Sequence, residues 1–266
     1  MAIKVEQENH HHGHDVGERL YLHRHSLVHS LPSHLKIIAA VAFIVVVVST
    51  PVTHWQAFIA YFVWLLSVVK IAKIPFLLLF KRALIEVPFI FFAILMPFFG
   101  SGEKIQVGPF DLYREGVIAG SGIVVKGTLG VMTAIILSTS TTAREILRGL
   151  ERLKLPVLMV QIASFMLRYV NVVNDEMERM KIARESRGFV ATGIKHWKVL
   201  ATSAAALFIR SYERGERVHL AMLSRGFDGN LPSLDNNKAT QRQWAIALSL
   251  PGLALFLSLF FLVIGW

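Results

Sequence analysis

The chain has 266 residues, 54% hydrophobic and 17% charged, with a formal net charge of +10 and a mean hydropathy of +0.52. A soluble domain of this length needs more polar surface, so the composition indicates a membrane, and the basic excess fits the inner-face bias of membrane loops better than nucleic acid. Cysteine is absent, which excludes a disulfide framework, a thiolate metal site and a cysteine nucleophile.

Residues 1–34 form a polar, His-rich N-terminal segment with eight of the eleven histidines and no cleavable signal peptide. Within it His10, His11, His12 and His14 offer imidazoles to Ni²⁺, Co²⁺ or Zn²⁺. The competing reading, a flexible polar tail, is favoured because the ligands are crowded on a segment without a framework. Residues 35–140 then carry four apolar stretches, at 35–50, 55–69, 83–99 and 116–140, and residues 244–266 carry a fifth. A bilayer core of about 30 Å needs about 20 helical residues, so the first two are short and extend into their flanks or tilt. Lys70, Lys73, Lys81 and Arg82 lie between the second and third stretches, while the loop from Gly100 to Glu115 has more acidic than basic residues. Segment 141–243 holds 17 of the 28 Lys and Arg residues. Positive-inside bias therefore places the N-terminus, the 70–82 loop and segment 141–243 in the cytoplasm. Lys126, inside the fourth stretch, reads either as a functional intramembrane charge or as a snorkelling side chain.

The basic segment opens on a capping box, Thr142 with Glu145, followed by an amphipathic helix with Ile146, Leu147, Leu150 and Leu153 on one face. Pro156 separates it from a second helix running to Arg187, and a third extends from about His196 to Arg225. Both of the latter end at glycine, the residue that accepts a left-handed conformation past a helix C-terminus. Their ends match without gaps. The stretch Glu178-Arg179-Met180-Lys181-Ile182-Ala183-Arg184-Glu185-Ser186-Arg187-Gly188-Phe189 aligns with Glu216-Arg217-Val218-His219-Leu220-Ala221-Met222-Leu223-Ser224-Arg225-Gly226-Phe227, with seven of twelve positions identical.

A single Arg-Gly ending is ordinary capping chemistry. The duplication asks for more, because capping alone requires neither the Glu-Arg pair nor the alanine three residues before the serine. Arg187 and Arg225 can project a planar, bidentate donor past a helix end toward a carboxylate. The small Ala183, Ser186, Ala221 and Ser224 let such an end enter a groove. Neither 157–173 nor 196–210 is read as a span, since a crossing there would separate the two ends or carry both to the outer face. No phosphate-binding loop and no catalytic constellation occurs, so the chain is not expected to be an enzyme.

These residues resemble a known family, the transmembrane (T) component of energy-coupling factor transporters, in its cobalt/nickel branch. The likeness runs from about Ser26 onward. Ser26, His29, Leu31, Pro32 and Lys36 are similar to the family's opening stretch, and Glu115-Gly116 with Lys126 to its fourth helix. Thr141-Thr142, Leu153-Lys154-Leu155-Pro156 and Arg168-Tyr169 match the approach to its coupling helices. Ala183 to Gly188 and Ala221 to Gly226 resemble its two Ala-Arg-Gly signatures, with Ser186 and Ser224 in place of the alanine.

The resemblance implies an all-α membrane protein of about five transmembrane helices plus three long cytoplasmic coupling helices, in a prokaryotic inner membrane. It implies a non-catalytic subunit of an ATP-driven cobalt or nickel importer. Its partners would be two ATP-binding subunits, alike or different, and a substrate-binding membrane subunit. No cofactor is expected on this chain, ATP and Mg²⁺ belonging to the partners. Docking falls to Ser186, Arg187, Gly188, Ser224, Arg225 and Gly226, supported by Glu178, Arg179, Ala183, Glu216, Arg217 and Ala221. The alternatives are a T component for a vitamin system and a self-contained secondary transporter. The latter needs a polar path at mid-membrane, where only Lys126 and the boundary residue Glu86 stand out.

Overall fold

The computed structural model describes residues 21, 26–99, 104–107, 110–189, 196–229 and 239–264. Contacts divide the chain into two units. One is a helical bundle within residues 20–153 and 238–266; the other carries two long helices within residues 154–237.

In the bundle, α1 (Ser33–Ser49) follows Pro32 and buries Leu35, Ala39, Phe43, Val46 and Val47 at helical spacing. After a turn, α2 (Trp55–Ile71) buries Phe58, Tyr61, Leu65 and Val69 on one stripe, and the two stripes meet around Phe43 and Tyr61. The segment 70–82, read from the sequence as a loop, contains a helix, α3 (Phe76–Ala83); the third apolar stretch then runs through a 3₁₀ turn at Leu84–Glu86 into α4 (Val87–Phe99). Pro88 accounts for the break, because it has no N–H for the carbonyl of Leu84 and its ring crowds that carbonyl. Glu86 is buried at the break, 3% exposed, and accepts a 3.0 Å hydrogen bond from the Thr128 hydroxyl.

Next comes an antiparallel hairpin, β1 (Lys104–Val107) with β2 (Phe110–Tyr113), paired Lys104 to Tyr113 and Val107 to Phe110. Sequence reading leaves this stretch as a loop. Its hydrophobic alternation is only four residues per strand, too brief to separate from a polar connection.

α5 (Arg114–Ser140) is the spine of the bundle, packed against α4, α1, α2 and α3. Two glycines one turn apart let α4 approach it. A Cβ on Gly116 would lie 2.5 Å from the Met96 carbonyl oxygen, and one on Gly120 would lie 2.5 Å from that of Ala93. This is the small-residue spacing by which membrane helices bring backbones together. α9 (Gln241–Ile264) closes the bundle against α1 and α2.

α6 (Ala143–Arg152) starts on the expected capping box, with the Glu145 N–H on the Thr142 hydroxyl at 3.2 Å and the Thr142 N–H on the Glu145 carboxylate at 3.0 Å. The sequence reading groups it with the long helices. It has only 10 residues and packs on α1, its apolar face being used within the bundle.

Further polar ties hold the bundle where apolar packing alone is non-directional. The buried Lys36 ammonium donates to the carbonyls of His29 at 3.1 Å and Ser140 at 2.8 Å, joining α1, the turn before it and the end of α5. The Lys126 ammonium donates to the Val48 carbonyl at 2.7 Å, one of the acceptors left open by the last turn of α1. Thr50 and Tyr61 meet at 3.2 Å, and the Tyr61 hydroxyl donates to the Ala254 carbonyl at 3.1 Å, linking α2 to α9.

In the second unit lie α7 (Val157–Glu185) and α8 (Trp197–Leu223). Among the described residues, three helices are long and apolar enough to cross a membrane: Arg114–Ser140, Val157–Glu185 and Gln241–Val263, with Ser33–Ser49 and Trp55–Ile71 as shorter apolar helices. That α7 is among them differs from the sequence reading, which keeps it out of the bilayer. Length and composition alone do not distinguish a span from an apolar surface made for protein.

Replacing Gly116 or Gly120 with alanine is expected to destabilise the detergent-solubilised chain by about 1–3 kcal/mol, because the clash is with backbone that cannot rotate away. Gly130→Ala on the same helix, where a Cβ meets nothing within 4 Å, is expected to be neutral or slightly stabilising. Thermal melting of the three variants distinguishes close approach from a general effect of losing glycine.

Candidate functional site at two matched helix ends

The end of α7 and the end of α8 are built bond for bond alike. Gly188 has φ +75° and Gly226 has φ +82°, the left-handed region in which a β-carbon is strained. At each end the glycine N–H donates to the carbonyl three residues back (Glu185 at 2.9 Å, Leu223 at 3.0 Å). The following phenylalanine N–H donates five residues back (Arg184 and Met222, both 3.1 Å). These paired bonds close the last carbonyls of a helix and turn the chain away. The serine hydroxyls repeat too, Ser186 donating to the Ala183 carbonyl at 3.1 Å and Ser224 to that of Ala221 at 3.0 Å.

A β-carbon at either glycine would meet nothing within 4 Å, so the backbone angle and not crowding selects the residue. Arg187 and Arg225 thus sit in the capping turn, one residue before the reversal. Both are exposed, and neither guanidinium is bonded to another described residue. Glu178, Arg179, Ala183, Ser186 and Gly188 are exposed, as are Glu216, Arg217, Ala221, Ser224 and Gly226; Phe189 and Phe227 are half-buried. Each end therefore offers a free planar donor fork beside small residues, suited to a carboxylate.

The supporting residues differ in what they bond. Glu178 pairs with Lys181 at 3.6 Å, and Arg179 pairs with Glu176 at 2.9 Å, which the sequence reading did not single out. Glu176 also accepts from Arg210 of α8, and Arg184 donates to the Ser203 hydroxyl at 2.8 Å. Together with the Gln161 amide on the Gly229 carbonyl at 2.7 Å, these bonds show that α7 and α8 pass each other in opposite chain senses. The Glu176–Arg179 spacing was readable as a helical pair. The Arg210 and Ser203 contacts have no sequence signal, because they depend on how two helices cross.

Arg179 and then Arg210 hold the Glu176 carboxyl below its ordinary value through their hydrogen bonds. A groove of 420 Å³ opens beside the crossing, lined by Phe165, Met166, Tyr169 and Val173 from α7 and Arg214 from α8. Lys126 belongs to the bundle, where its bond to the end of α1 gives it a helix-terminus role. His10, His11, His12 and His14 lie outside the described residues; among those described, no group of three or more metal-binding side chains occurs.

An apolar helical bundle with three helices, among the described residues, long and apolar enough to cross a membrane defines the class, a multi-pass helical membrane protein. The family model of the cobalt transport protein CbiQ matches residues 24–234. The chain belongs to that family, the transmembrane (T) components of energy-coupling factor transporters.

Three relatives show the range of the similarity. An uncharacterized protein of Methanocaldococcus jannaschii is 34% identical over 140 residues, 51% of this chain and 52% of that one. The energy-coupling factor transporter transmembrane protein EcfT of Listeria innocua is 26% identical over 224 residues, 79% of this chain and 83% of its own. The cobalt transport protein CbiQ of Rhodobacter capsulatus is 27% identical over 137 residues, 51% and 56% of the respective chains. The chain thus spans about half the length of the first and third and most of the second.

Gly188→Val and Gly226→Val are each expected to cost about 1–2 kcal/mol at their helix end, and the matching asparagine variants less. Hydrogen exchange at the Phe189 and Phe227 amides reads this as lost protection. The depressed Glu176 pKa means that its stabilising contribution is complete above the unperturbed glutamate value of about 4.3 and is lost as pH falls through the lower folded value. Carboxyl NMR of labelled Glu176 should show a midpoint below about 4.3; one at or above it would contradict the arginine contacts.

Proposed function

We propose that this chain is the coupling subunit of an ATP-driven importer, carrying movement from two ATP-binding subunits to a substrate-binding membrane subunit. The observation that carries the reading is the pair of identically capped ends whose Arg187 and Arg225 are exposed and, among the described residues, unbonded. Each arginine pairs with acidic residues in a groove of one ATP-binding subunit, with Ser186 and Gly188, or Ser224 and Gly226, allowing the close approach. ATP and Mg²⁺ are held by those partners.

In this reading segment 141–243 lies in the cytoplasm, and five spans cross the prokaryotic cell membrane. They are α1, α2, the stretch 83–99 (which includes α4), α5 and α9. The apolar first half of α7 is then a surface for the substrate-binding subunit. Support comes from the large exposed side chains there, Leu158, Met159 and Met166, each about two-thirds exposed. The family description makes cobalt the first choice of cargo, nickel being its chemical neighbour. The Listeria relative named EcfT matches a larger share of this chain than the Rhodobacter CbiQ does, which favours a second reading with the same coupling role and another cargo, such as a vitamin.

Co-expression with candidate ATP-binding subunits tests the proposal. Arg187→Glu and Arg225→Glu should each weaken co-purification, and the double variant should abolish it and reduce uptake by at least about tenfold, since opposing carboxylates would then repel. Undiminished recovery and uptake in the double variant would refute docking through these ends. Uptake by this chain alone in liposomes without ATP would instead establish a self-contained transporter.

A further inference from the structure

We propose that Glu176, through its bond to Arg210, is the pivot that fixes the crossing of α7 and α8 and so makes the two capped ends move as one body. The inference rests on the docking reading above for its functional consequence, though not for its structural one. The backbones of α7 and α8 approach closely at few positions, with an open groove beside Glu176 and Arg210 and further side-chain bonds at Gln161 and Arg184. Few side chains are therefore available to set the angle between them.

Glu176 stands at that point with both oxygens engaged. Oε2 accepts from Arg179 on its own helix and Oε1 from Arg210 on the other. Its side chain is 16% exposed, against 64% for Arg179 and 58% for Arg210, so the carboxylate is the sheltered member. Val173, one turn before Glu176 on the same helix, lines the groove with it, so one side of the carboxylate faces an apolar wall. Arg179 presets the carboxylate, so Arg210 meets an acceptor already oriented.

From this point the helices extend as levers. Gly188 is preceded on α7 by an unbroken helix, and Arg187 lies 11 residues past Glu176, about 16 Å at 1.5 Å per residue. Arg225 lies 15 residues past Arg210 in the opposing chain sense, about 22 Å. A rotation imposed at one end is then carried through the crossing to the other end and to both apolar halves. Without the pair, the same push is absorbed as sliding at the crossing. Arg184–Ser203, and Gln161–Gly229 beyond the end of α8, then still join the two segments.

The full chain in lipid nanodiscs, cysteine-free by nature, takes spin labels at cysteines replacing Ile182 and Leu220, both exposed. A single narrow distance distribution is expected. Glu176→Gln and Arg210→Gln should broaden it equally, with the double variant no broader than either, and Glu176→Asp should recover part of the narrowing. In the assembled transporter, Glu176→Gln should keep the ATP-binding subunits in co-purification while uptake per ATP hydrolysed falls about tenfold. An unchanged distribution overturns the pivot. So does a broadened one with full uptake, and so does loss of the ATP-binding subunits together with uptake, which would make Glu176 part of docking. If the Arg187 and Arg225 variants prove silent while Glu176→Gln still broadens the distances, the docking reading fails and the crossing remains.

Discussion

A helix directs its last side chain only if the chain is forced to stop at a fixed residue. Here the stop is a glycine at positive φ whose N–H, with that of the next residue, closes the open carbonyls behind it. The docking reading depends on that constraint operating twice. It leaves Arg187 and Arg225 one residue short of the reversal, where the main chain turns away and the guanidinium does not have to share its donors with the helix it ends.

The bundle applies the same rule of backbone satisfaction in a different way. Helix ends within an apolar body have carbonyls that water does not reach, and leaving them open is costly. Lys36 and Lys126 supply the missing donors, at the ends of α5 and α1 respectively. Lysines in apolar stretches therefore read here as parts of helix ends. That weakens the case for a polar translocation path through this chain, since the charge at mid-helix in α5 is already used. It leaves a stiff scaffold, with α5 brought against α4 by Gly116 and Gly120.

Features governed by local chemistry were legible in the sequence. The Thr142–Glu145 capping box, the glycine stops and the apolar stretches of α1, α2, α5 and α9 are local features of the sequence. The break at Leu84–Glu86 was marked by Pro88 but masked by an apolar run that continues on both sides. Contacts between distant residues had no such signal. Lys36 was noted only for its resemblance, whereas its bond to Ser140 joins residues 104 apart. Arg210 was one basic residue among 17 in its segment, and only the crossing of α7 with α8 shows that it differs from the others.

Comparison of the two ends, position by position, separates what folding needs from what it does not. Apart from the phenylalanine, every identical residue of the pair of twelve-residue stretches is exposed. The half-buried positions between them differ: Met180 against Val218, and Arg184 against Met222. Arg184 bonds to Ser203, so its replacement by an apolar residue in the second copy reflects a different neighbour within this chain. Packing constrains buried positions and leaves exposed ones free, yet here six exposed positions are kept. Capping explains the glycines, but it has no use for an exposed glutamate and arginine a turn or more upstream. Identity at six exposed positions is a pattern that neither packing nor capping requires.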